Sequence, residues 1–394
     1  MKPPVAPACA DERKNGVSAR VPTRHAREPA PHSGEQCALV AILALLAPVA
    51  SLAASLIYAG SLDKHVLVFD EAKQEVIDRI PLNTGIPRGV ALSDDKKTLY
   101  ISTPLHNGIE VIDLATRKVV NHFTLDDGMT RRTRLKSFAP DPQGKVLYAM
   151  IEVVNRQIYR FDIEKPKFAV IDLAEKKITK TYDYPKEELS AFVFGGMRVS
   201  PDGKYLYQFR QNILIFDTAD FKLVEKIELS RPNWPGMETV NLGPGDDPHD
   251  EPGRITALFN SIDPIVHRRV FGIAQFDLTK RTFDFTPVGP STTGMQGLRL
   301  SPDRKTGYTV AFRDSLGNRK SEFWVFDMGS RKLARTVEFP GPINFNFTLS
   351  GDGKILYVHG SSSIVDIYDS QTLQRTKTLQ LDTDLTTRLV IVPG

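Results

Sequence analysis

The stretch from Gly108 to Leu125, GIEVIDLATRKVVNHFTL, returns along the chain with its layout intact: HVLVFDEAKQEVIDRIPL before it, then FAVIDLAEKKITKTYDY, NILIFDTADFKLVEKIEL and IVDIYDSQTLQRTKTLQL after it. Each copy opens on alternating residues, with Ile109 and Val111 on one face and Glu110 on the other, which predicts a half-buried strand. An Asp then starts a short polar turn, because its carboxylate accepts hydrogen bonds from turn amides. A second strand follows. One hairpin of this kind cannot bury its own apolar face, so its repetition implies units that cover one another.

With the strand-ending Asp as register mark, the copies fall at Asp70, Asp113, Asp172, Asp217, Asp277, Asp327 and Asp369, 42–60 residues apart. Between them runs a second marker, a turn built on Pro, Asp and Gly ahead of an apolar strand: LSDDKKTLYIS, APDPQGKVLYAM, VSPDGKYLYQF, LSPDRKTGYTV and LSGDGKILYVH. Each cycle therefore holds four antiparallel strands, and seven cycles predict an all-β, seven-bladed β-propeller. The first cycle begins at Leu56, which corresponds to a second strand and leaves its innermost strand missing. The chain ends with a spare apolar strand, Thr386 to Gly394. The spare is expected to complete the first blade and so hide the open sheet edges.

The region ahead of the repeats has a different composition. Residues 1–37 are polar and aperiodic, and we read them as a disordered n-region. Ala38 to Ala50, ALVAILALLAPVA, is apolar without a charge and is followed by small residues, the h-region and cleavage region of a signal peptide over 38–55. An uncleaved anchor would need about 20 apolar residues and would have to draw Leu56 to Tyr58 into lipid, where the first strand needs them. Cleavage is therefore placed between Ser51 and Ser55, residues 56–394 form one propeller domain, and the product is periplasmic or secreted. The only cysteines, Cys9 and Cys37, precede that domain. It then has no disulfide, no CxxC site and no CxxCH haem attachment. The net charge of +4, from 51 basic and 47 acidic residues, carries no basic stripe and argues against nucleic acid.

The motifs GIEVIDLATRKVV and PRGVALSDDKKTLYIS resemble the YVTN-type propeller repeat of bacterial exported proteins. The enlarged third unit, YAMIEVVNRQIYRFDIEKPKFAVIDLAEKKI, and an irregular fifth unit are similar in layout to the propeller subunit of quinohemoprotein amine dehydrogenase. That resemblance implies two partners, a small quinone-bearing subunit and a cytochrome subunit. Quinone and haem would belong to them, and this chain would bind no cofactor.

Connections between second and third strands, and between blades, share one face of such a disc, and that face carries the insertions: 152–167, 261–268, 313–321 and the junctions 126–134 and 183–196. Loop elaboration on one face of a rigid scaffold is how binding surfaces are built. On it, MTRRTRLK places Arg131, Arg132, Arg134 and Lys136 at a junction leading toward the central channel, with Arg156 and Arg160 nearby. The plain reading is a solvated basic loop; the functional one is an anion- or acidic-partner site, since Arg presents a donor fork suited to carboxylates. His106 lies on the elaborated face, where a lone loop His is usually a surface residue, and Trp234 sits at a blade junction as a packing residue or partner anchor. On the opposite face, DDPHDE offers Asp246, Asp247, His249 and Asp250. Contiguous ligands interrupted by Pro248 make a poor metal cage, and a solvated acidic loop is the simpler expectation, with Ca²⁺ the metal to test. No catalytic triad, phosphate loop or HExxH spacing is present. Three functions stay open: a non-catalytic binding subunit or scaffold, a stand-alone ligand- or surface-binding propeller, and a propeller lactonase or hydrolase. Fold alone licenses no chemistry, and no catalytic residue is assigned to this chain acting alone.

Overall fold

The computed structural model describes residues 55–189, 195–210, 212–228, 240–242, 247–251, 253–262, 269–291, 294–315, 318–341 and 346–393. The chain divides into two compact units, 1–51 and 52–394, of which the first, with the leader and both cysteines, lies outside the described residues.

The second unit is seven separate antiparallel sheets that follow one another along the chain and close into a ring, a seven-bladed β-propeller. Alternation along each strand explains the closure. In blade one, Ile57 packs into a cluster with Tyr357, Val365 and Ile367 of blade seven. Its neighbour Tyr58 points the other way, into a cluster with Leu99, Ile101 and Ile112 of blade two. Every other seam has one such cluster. Each sheet is thus sandwiched between two neighbours, which corrects the half-buried expectation. In Gly108–Asp113 five residues are buried, and Glu110 is fully buried. Its carboxylate accepts hydrogen bonds from the Asn83 and Thr84 amides at 2.6 and 2.5 Å, and so caps the connection between blades one and two.

The terminal strand behaves as expected. Val390–Val392 pairs antiparallel with Leu56–Gly60 as Leu56↔Val392, Ile57↔Ile391 and Tyr58↔Val390. The Thr386 amide donates to the Gly60 carbonyl at 2.8 Å, and the Gly60 amide donates to Thr387 Oγ1 at 2.8 Å. A Cβ on Gly60 would stand 2.6 Å from Pro87 Cγ and 2.7 Å from Thr387 Cγ2, so this join requires glycine.

The strand-ending aspartates are turn caps in all seven blades. Asp113 Oδ1 accepts from the Thr116 amide at 2.7 Å, Asp172 from Glu175 at 2.8 Å, Asp327 from Ser330 at 2.6 Å, and the other four make the same kind of bond. The residue four positions on is left-handed every time: Gln74, Arg117, Lys176, Phe221, Arg281, Arg331 and Leu373 have φ between +52° and +59°. None is glycine, so this common feature of the turn carries no sequence signature.

The expected insertions at 152–167 and 313–321 are strand, not loop. In blade three, Arg131–Pro140 pairs along Val146–Arg156, and Phe161–Ile163 folds back on the same strand to make a projecting flap. In blade six, Thr306–Ser315 and Asn318–Asp327 stay paired to Ser315↔Asn318. Added residues there satisfy their backbone groups by lengthening the ladder. The residues 263–268 lie outside those described.

Candidate functional site

The face with short turns is closed at its centre. Blade five replaces its Pro-Asp-Gly turn by residues around Asp247–Glu251, and this loop reaches inward. Lys96 Nζ of blade two donates to the Pro248 carbonyl at 3.1 Å. Blades five and two are three steps apart in a ring of seven, so this contact is made across the axis. The Leu300 amide of blade six donates to Asp247 Oδ2 at 2.7 Å, and His249 Nε2 lies 3.3 Å from the Gly351 carbonyl of blade seven. The expectation of a solvated acidic loop is corrected: Asp247 and the His249 side chain are buried. Asp250 is also committed, accepting from the Thr256 amide and hydroxyl at 2.5 and 2.9 Å. Burial pushes its carboxyl up to about 6 against those bonds. Among the described residues no three His, Cys, Asp or Glu side chains are grouped to hold a metal ion; Asp246 lies outside them. The loop is a plug, and its acids face Arg299, through Asp247, and Arg198, through Asp250.

At the other end of the channel is a cavity of about 220 Å³. Its wall comes from the starts of the innermost strands of blades one, two and seven (Arg388, Arg88 and Val90, Asn346) and from the end of the second strand of blade seven (His359, Gly360, Ser361). Arg88 is exposed at the mouth, whereas Arg388 is half-buried. The Arg388 guanidinium is brought down to about 10, first by burial and then by the like charge of Arg198 across the ring. A side chain that feels strong burial yet keeps intermediate exposure lines a channel.

His359 is the buried titratable group of this wall. Its Nδ1 lies 3.2 Å from the Gly360 carbonyl, to which it donates, and its Nε2 is buried with no hydrogen-bond partner among the described residues. Burial lowers its pKa to about 4, so at neutral pH the ring is uncharged and Nε2 is a bare acceptor. An unmet buried acceptor normally costs on the order of 1–3 kcal/mol. Here it lines a cavity wide enough for a group that could meet it.

The arginines singled out in the sequence lie elsewhere. Arg131, Arg132, Arg134, Arg156 and Arg160 are brought together on the blade-three flap, on strand and its connecting turn, and none is among the residues lining the cavity. Arg134 and Lys136 face Glu152 at 3.8 and 2.9 Å, and Arg160 pairs with Asp162 at 2.8 Å. His106 is exposed on a blade-two connection, apart from both groups. Trp234 lies outside the described residues. Sequence reasoning missed the cavity. The two arginines do not occupy equivalent positions: Ile391 pairs with Ile57 as Leu92 pairs with Leu99, which puts Arg388 at the register of Gly89, one place past Arg88, so no repeated signature marks the cavity.

No family model matches the chain, and no curated protein does. Solved structures do. The Pseudomonas aeruginosa periplasmic gluconolactonase PpgL superposes with a TM-score of 0.52 at 14% identity, over 86% of this chain and 99% of that one. The dihydro-heme d1 dehydrogenase NirN, solved in complex with DHE, superposes with a TM-score of 0.50 at 16% identity, over 86% and 75%. At such identities the likeness is one of fold. Among the described residues no helix is long and apolar enough to cross a membrane.

Proposed function

We propose that this chain is an exported binding propeller whose central cavity takes a small hydroxylated anion, a sugar acid or other hydroxycarboxylate. The observation that carries the reading is the meeting of cationic Arg88 and Arg388 with the bare Nε2 of His359 on one cavity wall. Arg supplies a planar donor fork to a carboxylate, and neutral His359 accepts from a ligand hydroxyl. About 220 Å³ lies below the usual range for drug-sized ligands, which favours a small one. The plug makes the cavity blind, so a ligand enters from the elaborated face only. In the partner-subunit form of this reading, a quinone-bearing subunit and a cytochrome subunit dock on that same face and carry the quinone and the haem themselves. The signal-like leader and the YVTN-type resemblance support a periplasmic location.

Thermal unfolding with gluconate, galactarate and phosphate tests the binding. A ligand at 100 times its Kd adds about 2.7 kcal/mol to stability, and Arg88→Gln together with His359→Phe should abolish the shift. No shift with any of these anions, or an unchanged shift in both variants, would overturn the reading.

A second reading rests on the neutral state of His359. An uncharged imidazole that lines one cavity with two guanidinium groups can take a proton from water while a cation polarises a lactone carbonyl, and the likeness to a gluconolactonase makes that substrate the one to try. Hydrolysis of glucono-lactone above the uncatalysed rate, lost in His359→Phe, selects this reading; ligand binding without turnover selects the first.

A further inference from the structure

The flap of blade three concentrates apolar surface on the elaborated face. Its tip exposes Ile158 at 89% and Tyr159 at 97%, beside exposed Phe161, Ile163 and Met129. Eleven large apolar side chains are exposed among the described residues, and these are five of them. Leu62, Leu105 and Ile364 lie in or at the end of second-to-third-strand connections of the same face, leaving only Val120, Val224 and Leu333 elsewhere. Scattered exposed apolar residues need no explanation, but a concentration on one projecting element does. The flap's buried side does the structural work through Thr133, Val153 and Val154, so the tip residues are not needed for folding.

The surroundings of the tip are cationic. Arg131, Arg132 and Arg156 are exposed on the same strands, and among the described residues none of the three makes an ion pair with an acid. Arg160 and Asp162 neutralise each other at 2.8 Å. A projecting apolar tip with an aromatic ring and a cationic collar suits an anionic bilayer. The apolar side chains enter the boundary between headgroups and acyl chains, Tyr sits at the interface, and the collar meets anionic headgroups. A folded protein partner would need a matching pocket for a convex tip.

We propose that the blade-three flap is a peripheral membrane-docking element for anionic phospholipid surfaces, with Ile158 and Tyr159 inserting and Arg131, Arg132 and Arg156 supplying the electrostatic attraction. This inference is independent of the cavity.

The test uses residues 55–394, the range that supplies every sheet strand among the described residues, so that the apolar stretch 38–50 cannot bind vesicles itself. Co-sedimentation with vesicles of phosphatidylcholine alone is compared with a three-to-one mixture of phosphatidylcholine and phosphatidylglycerol. Binding to the mixture is expected, weakening as salt rises. Replacing Ile158 and Tyr159 by Ser should reduce it at least tenfold. Replacing Arg131, Arg132 and Arg156 by Glu should reduce it on the order of a hundredfold, since each cation near an anionic surface contributes about a factor of five. A Tyr159→Trp variant should add emission that shifts to the blue on binding, a readout that does not depend on stability. Failure to bind the anionic vesicles, full binding by the Ser variant, or no shift at Trp would each overturn the proposal; the last two outcomes alongside capture of an acidic protein would move the flap to a protein partner.

Discussion

Ring closure by the terminal strand can be tested at Ile391. Its side chain is 2% exposed and packs at the seam of blades seven and one with Ile57, Leu67, Tyr357 and Ile367. Ile391→Ala removes three carbons, about 2.4 kcal/mol at about 0.8 kcal/mol per buried methylene. The void left behind adds to this, and large-to-Ala core changes run about 2–5 kcal/mol. A loss of about 3 kcal/mol is expected. With an unfolding entropy of about 2.1 cal/mol/K per residue, a ring of roughly 340 residues has ~0.7 kcal/mol/K, and Tm should fall by about 4 °C. Urea unfolding followed by far-ultraviolet circular dichroism measures it, with Val224→Ala as control. Val224 is 47% exposed on an outer strand and should lose less than about 0.5 kcal/mol. If Ile391→Ala costs no more than the control, the terminal strand does not close the ring and the assignment of faces fails with it.

Two further outcomes follow from charge and backbone geometry. The turn caps Asp113 and Asp327 have carboxyls held below the usual range by the hydroxyls and amides of Thr116 and Ser330, so their contribution is present above the ordinary carboxylate pKa and lost as pH falls below it. Burial pushes Glu71 up to about 7, opposed by the Gly351 amide, and Asp250 up to about 6. At these two groups the folded state holds protons that the unfolded chain releases, which outweighs the one proton that buried His359 gives up on folding, so stability falls as pH rises from about 4 to 7. Urea midpoints at several pH values should peak near pH 4–5, with Glu71→Gln flattening the neutral-side limb; a midpoint that rises from pH 4.5 to 7 refutes the assignment. Lys96→Gly should speed hydrogen exchange at 247–251, because Lys96 Nζ clasps the Pro248 carbonyl at 3.1 Å; unchanged exchange there would show that the loop holds without it.

The architecture was legible because it is written locally and repeatedly. An Asp after three alternating apolar residues, and Ser, Asp and Gly before the next strand, specify turns through bonds of five residues or fewer, and seven copies average out individual departures. The cavity was not legible because its parts meet only through closure. Arg88 leads into the innermost strand of the second blade, His359 ends the second strand of the seventh, and Arg388 leads into the terminal strand that completes the first, and the strands themselves look like ordinary core. The basic run at 131–136 was legible as charge but not as shape: nothing in MTRRTRLK states that its backbone pairs with Val146–Arg156 and leaves the cavity for the flap. Glu110 was misplaced for a related reason. Period-2 alternation identifies two faces, and it cannot say that a second blade covers the polar one.

Two turns that keep a side chain where their counterparts in other blades have glycine connect these observations. In the turns that open at Ser93, Asp141, Ser200, Ser301 and Ser350 the fourth residue donates its amide to the carbonyl of the first and has φ between +56° and +77°. Three of those residues are glycine, and two are Lys96 and Arg304. A left-handed residue with a Cβ costs roughly 1–2 kcal/mol, and glycine would avoid that cost. Lys96 reaches the Pro248 carbonyl, and Arg304 Nη1 lies 3.6 Å from Glu251 Oε1. Both side chains therefore end on the plug of blade five, from two different blades. These two keep a side chain and accept the backbone cost, which is sensible if the closed end of the channel has to stay closed. On the proposed reading, the plug and the cationic mouth are the two ends of one binding channel, the first closed by the blade-five loop and the second open on the elaborated face.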